Sequence, residues 1–250
     1  MREVVKRYWN LGANGYNKSI QSTIRSDKMK TSWQKIFTEV LGDEKLKILD
    51  VGTGPGIVAL MLAELGHDVT GVDFAEDMLK NAVRNNIASG LNVKFREGDT
   101  ENLPFDEAYF DAVVSRFVLW TVTDPKKAIA EWERVLRPGG KVVIVDGNWF
   151  KDEGSVKYKL SHILSMILLL ITQRQSPFAH KSRPIIKDSL WSMKAERPDI
   201  DKTILEQSGF RDIYILTGIN QRTQTMLEHL KYGYQGEVFL ITGTKASIAL

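Results

Sequence analysis

Residues Leu49–Gly56 read LDVGTGPG. A short apolar run, Lys47–Val51, leads straight into three glycines at alternate positions, Gly52, Gly54 and Gly56. Glycine is needed where a backbone turns tightly or where a ligand presses against it. The helix predicted next, Ile57–Leu65, points its free N–H groups back at the loop. Such a loop is suited to a polar, partly anionic small molecule, at the carboxyl edge of an open α/β sheet. The dinucleotide fingerprint G-x-G-x-x-G, counted from Gly52, requires glycine at position 57, where Ile57 stands. Asp73 closes the next predicted strand, Val69–Val72, and is placed to accept from both hydroxyls of a ribose.

Outward from this loop, strand and helix signals alternate. Glu76–Ala88 carries Met78, Leu79, Ala82 and Val83 on one helical stripe. Val93–Arg96, Phe110–Ser115 and Lys141–Val145 read as strands, Lys126–Val135 as a helix, and Arg137–Gly140 (RPGG) as a turn. Arg211–Leu216 and Val238–Thr242 close the series, giving seven strands in all. Strands alternating with helices imply an α/β fold: a Rossmann-like, seven-stranded, mostly parallel sheet with helices on both faces. The expected division is an N-terminal helical cap over 1–44, a cofactor-binding core over 45–150, a helical lid insertion over 151–198, and a closing helix and strands over 199–250.

Composition narrows the function further. The 250 residues include no cysteine, which excludes disulfides, thiolate metal sites and a cysteine nucleophile. The four histidines, 67, 162, 180 and 229, have no metal-ligand spacing, so no metal is expected. Residues 1–47 carry ten Lys/Arg against five Asp/Glu, residues 48–150 ten against sixteen, and residues 151–250 fourteen against ten. The motif-bearing third is the acidic one, which disfavours a nucleic-acid partner. The longest apolar run, Ile163–Ile171, is too short to span a bilayer, so membrane contact is expected to be transient at most. With no apolar signal core behind Met1, a cytoplasmic location is expected.

Four segments in this order resemble the class I S-adenosylmethionine-dependent methyltransferases, in particular the small-molecule branch of the ubiquinone and menaquinone C-methyltransferases. They are LDVGTGPG (Leu49–Gly56), GVDFAEDML (Gly71–Leu79), EGDTENLPFDEAYFDAVVS (Glu97–Ser115) and RVLRPGGKVVIVD (Arg134–Asp146). RYWNLGANGYN (Arg7–Asn17) is similar to a looser aromatic motif of that branch. The resemblance implies S-adenosylmethionine as cofactor, its demethylated form as product, and a small-molecule methyl acceptor. It places Gly52, Gly54 and Gly56 along the methionine part of the cofactor, with Asp50 orienting the loop. Asp73 clamps the ribose, and Phe74 and Met78 flank the adenine. Asp99 accepts from the adenine amino group beside Thr100 and Glu101, and the carbonyl of Ser115 faces the cofactor amine. Two of these assignments have bland alternatives: Met78 also fits the helix stripe as core, and Asp50 also fits as a turn partner only.

A sulfonium-bound methyl needs an aligned nucleophile and exclusion of water rather than a strong base. Acceptor-side candidates therefore come from the strand ends. Arg116, Trp120 and Thr121 follow the fourth strand; Asp146, Asn148 and Trp149 follow the fifth. Trp120 and Trp149 read as pocket wall or as core, and Arg116 as a carboxylate clamp or as half of an ion pair. His162 and His180 are candidate bases on the insertion, or surface histidines. Tyr8, Trp9 and Tyr16 close over the cofactor or pack beneath the N-terminal helix. The segment after the fourth strand, SRFV, lacks the N/D-P-P-Y/F of amino-group methylation, so tRNA and protein remain secondary acceptors, beside a cofactor-binding protein without catalysis. The apolar Val156–Gln173 is expected to roof an apolar or aromatic acceptor pocket.

Overall fold

The computed structural model describes residues 1–24, 26–149, 155–173, 189–232 and 236–247. Two helices, α1 (Arg2–Ile24) and α2 (Asp27–Leu41), precede the sheet. Then follow β1 (Lys47–Val51), α3 (Ile57–Glu64), β2 (Asp68–Asp73), α4 (Glu76–Ser89), β3 (Lys94–Glu97) and β4 (Phe110–Arg116). The chain continues through α5 (Pro125–Val135), β5 (Leu136–Gly147), α6 (Val156–Gln173) and α7 (Asp199–Gln207). It closes with β6 (Phe210–Leu216), two short helices, α8 (Ile219–Thr223) and α9 (Met226–Tyr232), and β7 (Val238–Lys245).

The seven strands lie in the order β3-β2-β1-β4-β5-β7-β6. Only β7 runs against its neighbours, β5 and β6. Alternate residues of β1, β4, β5 and β7 enter two separate cores, as the two-residue period requires. Ile48, Ala112, Val114, Val143, Val145 and Leu240 join the core formed with α2 and α3. Leu49, Val113, Val142, Ile144, Phe239 and Ile241 join the one formed with α5 and α7, around the fully buried Trp132. The expected seven-stranded sheet covered on both faces is thus the observed one.

Local signals explain the element ends. The Asp124 side chain accepts from the Lys127 N–H at the start of α5, and Pro125 takes the first helical position. Left-handed Gly90 ends α4. The RPGG turn departs from expectation: it belongs to β5, which begins at Leu136 beside Phe110 and resumes regular pairing at Lys141 after a register shift. Helices α8 and α9 come from a stretch that carried no strong periodic signal.

Register sets the site. Val51 sits between Val72 and Ser115, so the next residues along three adjacent strands, Gly52, Asp73 and Arg116, emerge together at one sheet edge. Gly56 is required here for packing. Its φ is +83°, and a Cβ there would lie 2.9 Å from the Phe95 ring and 3.1 Å from the Ala82 Cβ. Gly66 has a similar φ of +95° but open space around it. Gly56→Ala is therefore expected to lower the unfolding free energy by about 2–4 kcal/mol in urea titrations. Gly66→Ala, burdened by backbone strain alone, is expected to cost about 1–2 kcal/mol.

Candidate functional site

Two buried carboxylates shape the glycine loop. The Asp50 Oδ2 accepts from the Thr53 hydroxyl at 2.6 Å and from the Ala59 N–H at 3.1 Å, tying the loop to the first turn of α3. The Asp73 Oδ2 accepts from the Gly54 N–H and its Oδ1 from the Ala75 N–H, both at 2.8 Å. Burial pushes the Asp50 carboxyl up to about 7, against the pull of those bonds. Burial likewise lifts Asp73 to about 6, despite three backbone N–H donors. Both carboxyls hold a proton more tightly in the fold than in the unfolded chain, so the free protein loses stability as pH rises from about 4 to about 7.

Around this loop opens a cleft with about 640 Å³ of free space, continuous with solvent. Of the expected cofactor residues, Gly52, Gly54, Asp73, Phe74, Met78, Asp99, Thr100, Glu101 and Tyr16 line it together. Gly54 presents bare backbone: a Cβ there would meet nothing closer than the Met78 Sδ and the Tyr16 ring at 3.9 Å. Asp50, Gly56 and Ser115 do not line it. Asp50 acts beneath the loop, Gly56 serves helix–strand packing, and Ser115 is buried within β4.

The N-terminal helix forms the opposite wall. Arg2, Val5, Trp9 and Tyr16 of α1 line the cleft, whereas Tyr8 packs beside Val5 and Leu190. A polar seam docks α1 on α4: Asn10 accepts from the Asp77 N–H, and Asn17 and Gln21 both bond Asn85. Arg2 pairs with Asp99 at 3.0 Å and Glu101 at 2.9 Å. The other Glu101 oxygen accepts from the Thr123 N–H, the Thr123 hydroxyl and the Asp124 N–H. Burial raises the Glu101 carboxyl, but these bonds outweigh it and hold the group below its ordinary range.

Arg116 faces the cleft from the end of β4, its guanidinium 4.3 Å from the Phe117 ring centre and 5.1 Å from that of Trp33. Burial lowers its pKa, opposed by Tyr16 and Asp50. Its Nε is buried and makes no hydrogen bond. The next residue, Phe117, also lines the cleft and holds a φ of +62°, a conformation that side chains rarely adopt and that recurs at functional edges. Phe117 and Val118 escape sequence reading because neither belongs to a motif.

The other acceptor-side candidates lie elsewhere. Thr121 lines the cleft, but Trp120 and Trp149 do not; they stack edge-on behind it, 6.3 Å apart, with Trp149 against Phe117 at 5.0 Å. Asp146 is wholly buried in a structural network. It accepts from the Trp120 N–H, the Trp149 indole N–H and Arg197, and Arg197 also grips Asp201 through Nε at 2.9 and 3.1 Å. Burial pulls the Arg197 pKa down, but the two carboxylates outweigh it and hold the guanidinium charged. The Asn148 side chain donates to the Arg197 carbonyl. His162 stacks on Tyr158 within α6 and lines no part of the cleft. His180 lies outside the described residues. The expected roof, α6, contributes no residue to the cleft among those described; α1 stands there instead.

Residues 49–144 match the model of a methyltransferase domain family. The chain is 46% identical over 102 residues to a demethylmenaquinone methyltransferase of Thermus thermophilus, covering 40% of this chain and 46% of that protein. It is 40% identical over 101 residues to a ubiquinone biosynthesis O-methyltransferase of Maricaulis maris, covering 40% of each. In these alignments the chain spans about half the length of the curated relatives it matches. A solved Methanococcus maripaludis protein assigned to the S-adenosylmethionine-dependent methyltransferases shares the fold, with a TM-score of 0.63 at 20% identity over 96% of this chain and 95% of that one.

Asp146→Asn removes one charge partner of Arg197 and is expected to lower unfolding stability by about 1–3 kcal/mol, read from a shifted urea midpoint. Affinity for a ligand of the cleft should change less than about twofold by calorimetry, since Asp146 does not line it.

Proposed function

From a core, residues 49–144, that belongs to the class I S-adenosylmethionine-dependent methyltransferases, we propose that the whole chain is an enzyme that transfers a methyl group to a small aromatic or apolar acceptor. One observation carries this reading: bare Gly54 backbone, the preorganised Asp73 carboxylate and Asp99 border the same cleft. When bound, the cofactor supplies a methyl on a positively charged sulfur. Asp73 would accept from the ribose hydroxyls, Asp99 from the adenine amino group, and Met78 and Phe74 would flank the base. Arg116, which lines the cleft and whose buried Nε makes no hydrogen bond, suits the carboxylate of the methionine part. Trp9, Tyr16 and Phe117 line the same cleft and would shield the reacting centre from water once the cofactor is bound. The aromatic surround and the quinone-related names of the relatives favour a quinol-like ring over RNA or protein.

The reading is tested by incubating the chain and a cell extract with isotope-labelled S-adenosylmethionine. Mass spectrometry should place the label in an organic-extractable aromatic compound; label confined to RNA or protein would reassign the acceptor. Calorimetry should show binding of S-adenosylhomocysteine.

Three outcomes follow for binding. Asp73→Ala should weaken S-adenosylhomocysteine by about 1.5–3 kcal/mol for each charge-assisted bond lost. Affinity for the same compound should fall as pH drops below about 6, where Asp73 takes up a proton and loses acceptor capacity; Asp73→Asn should remove that dependence. Arg116→Leu should weaken S-adenosylhomocysteine about tenfold or more while leaving adenosine, which has no carboxylate, within about twofold. Equal losses for both compounds would place Arg116 in support of the cleft wall rather than on the carboxylate.

A further inference from the structure

Helix α6 rests on the protein through buried Ser165 and half-buried Ser161, His162, Met166, Leu168 and Leu169, and leaves its other apolar residues in water. At 3.6 residues per turn, Ser161 and Ser165 share one face, and Leu160, Ile163, Leu164, Ile167, Leu170 and Ile171 spread over the opposite one. Ser165 is buried and donates to the Lys231 carbonyl of α9. The six apolar residues are all exposed, Ile171 to 72%. The neighbouring α9 extends the patch with Leu227, Leu230 and Met226, the last exposed to 82%. An apolar area of this extent on a protein surface marks a site of contact.

Charge selects the occupant. The 18 residues of α6 include no Asp or Glu, but they include Lys157 and Lys159. Glu228 of α9 is turned inward beside Lys231, its side chain 15% exposed. A second copy of this surface would therefore offer the lysines no free carboxylate, whereas an anionic headgroup layer over an acyl boundary meets both the charge and the apolar face. No described helix is long and apolar enough to cross a membrane. Helix α6, about 27 Å long, has the pattern of one that lies flat in the interface. It follows the carboxyl end of β5, the sheet edge that carries the cleft.

We propose that α6 and α9 form a peripheral membrane-binding surface for anionic bilayers. The assignment stands apart from methyl transfer, and its test needs no cofactor. The full chain is floated with vesicles of phosphatidylcholine alone and of equal parts phosphatidylcholine and phosphatidylglycerol. It should rise with the mixed vesicles, and added salt should weaken this. Ile167→Asp, at an exposed position, should leave the Tm unchanged and lower the partition coefficient about tenfold or more. Lys159→Ala should lower it about fivefold on the mixed vesicles only. Failure to float with either vesicle overturns the proposal, as does flotation indifferent to Ile167→Asp. Equal flotation with both vesicles overturns its electrostatic half. A concentration-dependent dimer in sedimentation velocity, dissolved by Ile167→Asp and untouched by vesicles, would assign the face to a second copy instead.

Discussion

The site depends on two carboxylates buried at the ends of adjacent parallel strands, Asp50 on β1 and Asp73 on β2. A carboxylate without water is costly unless donors surround it. The glycine loop and the elements beside it supply those donors: Thr53 and Gly54 from the loop, Ala59 from α3 and Ala75 from the turn before α4. The loop therefore holds its shape because it satisfies the acids, and the acids stay in place because the loop wraps them. That mutual fixing leaves the backbone of Gly54 bordering the cleft and sets Phe74 and Met78 on the same wall.

Against this rigid floor stands a wall of a different kind. Helix α1 meets α4 through a row of amide side chains beside an apolar cluster in which Ala13, Trp9 and Tyr16 pack with Phe74 and Met78 at the cleft. Amide–amide contacts at a part-exposed seam exchange readily with water and contribute modestly to stability. The ion pairs of Arg2 with Asp99 and Glu101 add little more, because Arg2 is nearly half exposed. The cleft thus combines a deeply fixed loop with a cover that is anchored by a few buried side chains, Val5, Ala13 and Ile20, and otherwise held by weak, solvated polar contacts.

The parallel core was readable because its signals are local. Short apolar runs bounded by glycine and aspartate mark β1, β2, β4 and β5, and the spacing from Gly52 to Asp73 matches one strand–helix–strand unit. What resisted reading depends on partners far along the chain. Asp146 stands at the end of a strand like a catalytic acid, but Arg197, 51 residues on, claims it for a buried ion pair. Gly56 completes a motif, yet what crowds it is Phe95 on β3. Apolar composition marked Val156–Gln173 as a segment needing cover, but composition does not say which face of a helix meets the protein. The conformation of Phe117 left no trace in the sequence, since nothing local forces a phenylalanine into the left-handed region.

The place of β7 has a consequence for synthesis. It is threaded between β5 and β6, pairing with one along Val238–Thr244 and with the other along Leu240–Lys245. A ribosome delivers it after every other strand of the sheet. Until it arrives, β5 carries an open edge of unbonded backbone groups beside fully buried side chains such as Val143 and Ile144, and β6 has no neighbour. Both cores stay unsealed in that interval, because Leu240 closes one and Phe239 and Ile241 the other. Between the emergence of β6 and that of β7 the nascent chain consequently exposes a sticky strand edge, and the lifetime of that edge is set by how quickly residues 217–245 are delivered.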